Sequence, residues 1–287
     1  MNFFTDHYFQ IGHAHYTAGK PCQDHALSRS DERVACAIVS DGCSSGGNTD
    51  VGARILTFGT LQAIRDHAMA SNGVIGTAAI SIIARQQQLM GVVQPMIGLE
   101  RGDVLATCIF AYFTHCGGLI YVQGDGVVGL KYKDSSLSMY RYEWDENTPF
   151  YPSYVGSDLE AFVTFHGGDV SALRLSELAV SRVRDGVYTE TSKKLTVKQG
   201  IEGISLNISL KEMEQIEYVA VFTDGVVQIK NLDWRDAVAD FLAFKTTAGE
   251  FAKRRMIRGL KDSQRLGKEP IDDIAYAVIR LEKEKTE

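Results

Sequence analysis

Residues 37–53 read AIVSDGCSSGGNTDVGA, and the way this stretch divides decides the fold class. Its first residues close an apolar run, VACAIVS, of the kind that forms a buried strand. Asp41 and Gly42 end that run and a Ser/Gly-rich connection follows. From Val51 onward, Val51, Ile55, Phe58, Leu61 and Ile64 recur at steps of three and four, the spacing of an amphipathic helix. Thr49 or Asp50 is placed to cap that helix. The ordinary reading of residues 44–50 is a flexible connection; the sharper one is that their amides face an anion.

The same unit recurs outward from here. Asp224 follows the run YVAVF, with Thr223 before it and Gly225 after it. Asp125 follows LIYVQG and precedes Gly126, Asp272 and Asp273 lead into IAYAVI, and Asp24 sits in CQDH. Strands are expected at 8–15, 33–40, 104–114, 119–123, 127–131, 178–183, 218–223 and 274–281, and helices at 51–70, 77–90, 234–244 and 247–266. Two early helices follow a strand, two late helices precede the last strand, and the middle is hairpin-rich. That order predicts an α+β fold with largely antiparallel sheets.

A single Asp-Gly after a strand is ordinarily a turn, and Asp125–Gly126 read alone is a hairpin. Three such units and an Asp-Asp pair in one chain suggest carboxylates gathered at a sheet edge. Carboxylates that converge without basic partners repel, unless a cation sits among them. All-oxygen ligand sets suit Mg²⁺ or Mn²⁺. Glycine after the aspartate lets the backbone turn tightly and can present its carbonyl to a metal.

Composition bounds the remaining possibilities. Of 287 residues, 45% are hydrophobic and 23% charged, with 27 Gly and 5 Pro, which is globular and neither disordered nor collagen-like. No repeat or linker is visible, so one domain over 1–287 is expected. The net charge of −6 argues against a dedicated nucleic-acid binder. Five cysteines without CxxC spacing suit a reducing compartment. The apolar stretch around 104–113 is too short to span a bilayer, and MNFFTDHYFQIGHAH lacks the basic and apolar regions of a signal peptide. A cytoplasmic protein without a membrane or nucleic-acid partner is expected.

The order of the motifs GHAHYTAGKPCQDH (12–25), AIVSDGCSSGGNTDVGA (37–53), LATCIFAYF (105–113), LIYVQGDGVVGL (119–130), VAVFTDGVVQI (219–229) and IDDIAYAVI (271–279) resembles the metal-dependent protein phosphatases of the 2C type. In particular it resembles a bacterial branch typified by the enterobacterial phosphatase C. The resemblance spans nearly the whole chain. It implies a four-layer αββα sandwich, two Mn²⁺ or Mg²⁺ ions with a third, weaker site, and hydrolysis of phosphoserine or phosphothreonine by a hydroxide bridging the metals. It implies that Asp41 bridges the metals, that the Gly42 carbonyl, Asp24, Asp224 and Asp272 ligate them or their waters, and that Asp125 helps hold the third. Asp273 stands where relatives often have Asn. Phosphorylated proteins, and a cognate kinase or its targets, are the implied partners.

Two departures from that pattern concern catalysis. The arginine that animal and plant members carry five residues before the first-motif aspartate is Gly19 here, with Lys20 or His15 as substitutes, although Lys is a poorer bidentate phosphate ligand. The histidine often found two residues after the bridging aspartate is Cys43, which leaves a metal-bound water, His15 or His25 to protonate the leaving group. The resulting catalytic set is Asp41, Asp224, Asp24 and His15, with Lys20 for phosphate. Two further segments bear on partners. Residues 141–160 hold five aromatics and two prolines, suited to a loop that anchors a partner or folds back onto the core. Residues 245–268 hold eight basic and two acidic residues, a solvated helix face or a dock for an acidic phosphoprotein. The competing functions are a catalytically weak binding module with this fold and a phosphoesterase of small molecules.

Overall fold

The computed structural model describes residues 1–183 and 186–283. Its strands form two antiparallel sheets. The seven-stranded sheet runs β1–β12–β11–β6–β7–β8–β9, with β1 Asn2–Gln10, β6 Gly126–Tyr132, β7 Leu137–Trp144, β8 Leu173–Arg182, β9 Tyr188–Thr196, β11 Ile216–Phe222 and β12 Ile274–Glu282. The five-stranded sheet runs β10–β5–β4–β3–β2, with β2 His25–Ser30, β3 Val34–Ser40, β4 Cys108–Thr114, β5 Gly117–Gln123 and β10 Ile204–Ile208. Helices are α1 His13–Thr17, α2 Thr49–Ser71, α3 Ala78–Met96, α4 Ser157–Phe165, α5 Val197–Glu202, α6 Leu210–Met213, α7 Trp234–Phe241 and α8 Phe251–Arg265.

Side chains alternate across a strand, so a strand between two cores divides its residues between them. In β3, Ala35, Ala37 and Val39 join an inter-sheet core with Val219, Val221, Ala275 and Ala277. Cys36 and Ile38 face the other way, into a second core with Leu56 and Ile64 of α2 and Ile82 of α3. On the far side, Phe222 and Tyr276 pack against Phe241 of α7 and Met256 of α8. Three apolar layers between four structural layers make the αββα sandwich. Both faces of β3 and β4 are covered, which is why both read as continuous apolar runs. Burying one large apolar side chain contributes about 1.5–3 kcal/mol, so the three layers carry the fold's stability.

Several expectations are corrected here. The expected strand at 8–15 is β1 at Asn2–Gln10 followed by helix α1, because Gly12 packs so closely on Asp272 that the chain must turn away. Strands β2, β7, β9 and β10 had no prediction; β9 is mostly exposed and polar, so no apolar run marks it. Asp125 is not in a hairpin, since β5 and β6 belong to different sheets and the Gly124–Asp125 link crosses between them. The residue capping α2 is Asn48, not Thr49 or Asp50, and its amide donates to Asp103 at 2.5 Å. Among the described residues, no helix is long and apolar enough to cross a membrane.

Candidate metal centre

The apolar runs of β3 and β11 end at Asp41 and Asp224, β5 ends just before Asp125, β2 begins just after Asp24, and β12 begins just after Asp272 and Asp273. Backbone contact draws these ends together. A Cβ on Gly225 would lie 1.7 Å from the Asp273 carbonyl oxygen, and one on Gly42 would lie 2.7 Å from that of Thr49. These glycines therefore serve close approach. Neither has a positive φ, so the tight-turn role expected of them is not the reason for glycine here.

The buried carboxylate of Asp24 accepts a 2.6 Å hydrogen bond from Thr223 Oγ1 and lies against Asp41. The Asp41 amide donates to Thr107 Oγ1 at 3.1 Å, which ties the end of β3 to the start of β4. Asp224 accepts from Gln228 Nε2 at 2.7 Å. Asp125 is buried, and its Oδ1 has no hydrogen-bond partner among the described residues.

The electrostatics follow from this crowding. Burial, then the charges of Asp24, Asp224 and Asp125, holds Asp41 well above the carboxylate range. Burial raises Asp24 too, opposed by its bonds from Thr223 and Asp41 and reinforced by Asp273 and Asp224. Burial and then Asp224 raise Asp125. Burial and then Asp272 push Asp224 up to about 6, although Gln228 favours the charged form. Oxygen donors in a cluster where Asp24 and Asp125 are buried, Asp41 and Asp224 are half-buried, and the members oppose each other's ionisation fit a hard divalent cation. Asp24, Asp41, Asp125 and Asp224, with the partly exposed Asp272, are the candidate ligands.

Asp273 has a different job. It is buried and accepts from the Gly12 amide at 2.7 Å, the Gln23 amide at 2.6 Å and His15 Nδ1 at 2.8 Å. His15, Asp272 and Asp273 present ligand atoms within 4.8 Å of one another. The three bonds to Asp273 make that trio a clamp joining the first and last motifs. His15 is thereby held on Asp273, with 10% of its side chain exposed. Lys20 is exposed, and its Nζ donates to the Ser44 carbonyl at 3.2 Å. His25, the other histidine considered for proton transfer, is buried on Thr57 Oγ1 at 2.6 Å. The amides of Gly46 and Gly47 donate to the Cys43 and Gly102 carbonyls and that of Asn48 to the Asp103 carboxylate, so these three are already engaged within the chain.

Two features were not legible in the sequence. Arg141 on β7 pairs in register with Val127, two residues from Asp125, and its charge acts on both Asp125 and Asp224. Only strand pairing could have revealed that cation. Second, most aromatics of 141–160 do fold back: Tyr142, Trp144, Phe150 and Tyr151 are buried. Tyr151 and Tyr154 line a cleft of about 480 Å³ that Cys43 also borders. Burial opposes ionisation of Cys43, but hydrogen bonds with Ser45 and Tyr151 outweigh it and bring the thiol below its ordinary value.

The family model for protein phosphatase 2C matches residues 11–149. No curated protein matches the sequence. Among solved structures, the serine/threonine phosphatase Stp1 from Staphylococcus aureus superposes with a TM-score of 0.56 at 10% identity, covering 99% of this chain and 96% of that one. The serine/threonine phosphatase of S. agalactiae gives 0.54 at 12% identity, covering 98% and 100%. At such identities the likeness is one of fold.

Proposed function

We propose, from the match of the protein phosphatase 2C family model to residues 11–149, that the 287 residues form one metal-dependent phosphatase domain acting on phosphoserine and phosphothreonine in proteins. The observation that carries the reading is the convergence of Asp24, Asp41, Asp125 and Asp224, each raised by burial and all but Asp24 by a neighbouring carboxylate in the second place. Two Mn²⁺ or Mg²⁺ ions, when bound, would supply positive charge for the phosphoryl group and a water of lowered pKa.

The chain's own residues do the rest. Asp41, Asp24, Asp224 and Asp272, with the Gly42 carbonyl, would hold the cations, and Asp125 would hold a third, weaker one. Thr223 and Gln228 fix the rotamers of Asp24 and Asp224. Arg141 supplies a cation beside Asp125 and Asp224, where a phosphate dianion needs one. His15 acts through the Asp273 clamp, which positions the first motif against the last. Lys20 stands at the rim as a point charge for phosphate, not as a bidentate clamp. The partners on this reading are cytoplasmic phosphoproteins, including a cognate kinase or its targets.

A second reading, a phosphoprotein-binding module with little turnover, is favoured by Gly19 and Cys43, where the resemblance expects arginine and histidine. Hydrolysis of p-nitrophenyl phosphate in Mn²⁺, in Mg²⁺ and in EDTA separates the two. Turnover that needs metal and disappears in Asp41→Asn supports the phosphatase, and phosphopeptides follow. A folded protein without turnover in either metal leaves the binding module.

A further inference from the structure

The exposed residues Arg254, Arg258, Lys261 and Arg265 fall at i, i+4, i+7 and i+11 of α8. They form one solvent-facing stripe about 16 Å long. The opposite face, with Phe251, Met256 and Leu260, is buried in the core.

This charge does not serve the helix. Cations at i,i+3 and i,i+4 repel, at about 0.2–0.5 kcal/mol per pair. The first turn has no acidic residue, yet Lys253, Arg254 and Arg255 crowd the helix's positive end, where cations are disfavoured. Lys253 pairs with Glu250 and Arg255 with Asp240, but the stripe beside them is not neutralised in this way. Among the described residues neither Arg258 nor Lys261 has an ion pair, and the Arg265–Asp262 pair is exposed on both sides (79% and 61%). Residues 245–268 carry +6 (eight basic minus two acidic) in a chain whose net charge is −6. The C-terminal end of the stripe lies beside the first motif. Gln264, in the last turn of α8, borders a cleft of about 340 Å³ with Gly12, His13 and Glu269, and Gly12 donates to Asp273.

We propose that this stripe is a docking surface for an acidic segment of a partner protein. If the phosphatase reading holds, that segment belongs to the substrate, outside the residue that carries the phosphate. Spaced point charges on a helix face match carboxylates strung along an extended peptide. Phe244 and Phe251 border Arg254 and Arg258, but Phe251 is buried and the Phe244 ring packs on Tyr218 and Phe251, which leaves neither free to stack a base, and Leu266 is the one exposed apolar residue adjoining the four in sequence.

The test is anisotropy of a fluorescent, phosphate-free, Glu-rich peptide with the full-length protein. Binding that weakens as salt is raised is expected. The double variant R258E/K261E should bind at least about tenfold more weakly, and R258K should bind like the parent. Both variants should keep the parent circular dichroism and the parent turnover of p-nitrophenyl phosphate. With a phosphopeptide bearing an acidic tail, R258E/K261E should raise KM and leave kcat unchanged. Equal peptide binding by parent and R258E/K261E would overturn the proposal. So would binding of anionic vesicles or single-stranded RNA, but not the peptide, by the same stripe. Peptide binding needs no turnover, so an inactive parent protein would count against the phosphatase reading alone.

Discussion

Asp24, Asp41, Asp125 and Asp224 are crowded at strand ends and largely withdrawn from water, whereas Arg254, Arg258, Lys261 and Arg265 stand in solvent on one helix face. Both groups gather four like charges over a short span. In the first, low polarisability amplifies the repulsion, and it appears as carboxylates that resist ionisation. In the second, water and salt screen the repulsion to a few tenths of a kcal/mol per pair. Buried like charge therefore calls for a cation at a defined place. Exposed like charge leaves a field that can steer a partner without constraining the fold.

The sharpest way to break this contrast is to remove charge from the buried group. Asp41→Asn and Asp224→Asn should each lower metal-dependent phosphatase turnover on the order of a thousandfold, while R258Q leaves it unchanged; steady-state kinetics with p-nitrophenyl phosphate reads both. A smaller effect is expected where backbone packing builds the acidic site. Gly225→Ala places a methyl group on the Asp273 carbonyl and should cost about 3 kcal/mol in urea denaturation. Substitution of Gly91, which has open space around it and no positive φ, would meet no such clash.

A pH experiment sharpens the comparison further. The unfolded chain releases the Asp224 proton near 3.8 and the folded chain near 6, both without metal. Between those values the unfolded state binds fewer protons, so the parent loses stability as pH rises. In EDTA, Asp224→Asn should gain on the parent from pH 4 to 6, by about 2 kcal/mol after allowing for partial exposure. Thermal melts across that range measure it, and a constant difference would contradict the electrostatic account. Buried His25, pushed down to about 4, works the other way, costing stability as pH falls from 6.5; comparing variant with parent cancels it. The smallest effect belongs to the exposed group. R254Q and R258Q should be neutral or stabilising by about 0.3 kcal/mol each, since they relieve repulsion along α8.

Some of this was readable without coordinates because it is local. The runs ending at Asp41 and Asp224 mark buried strands, and the expected helices at 51–70 and 247–266 lie within a few residues of α2 and α8. The candidate ligands were legible for the same reason, since each adjoins a strand that identifies itself. β9 was not, because YTETSKKLT has no apolar face. Nor was the Asp273 clamp. Its partners, Gly12 and Gln23, are 261 and 250 residues away in sequence.

By itself, then, the sequence determined the apolar strands β3, β4, β11 and β12, the helices α2, α3, α7 and α8, and the carboxylates that adjoin those strands, because apolar runs and helical spacing are properties of neighbouring residues. Tertiary structure alone decided that β5 and β6 part into different sheets, that Asp125 lies in a crossing and not a hairpin, and that Arg141 faces the carboxylates. It also decided that Gly42 and Gly225 are glycine for closeness and not for turning. Those features depend on which distant strands pair and how near two backbones come, and neither is encoded in any short stretch of chain.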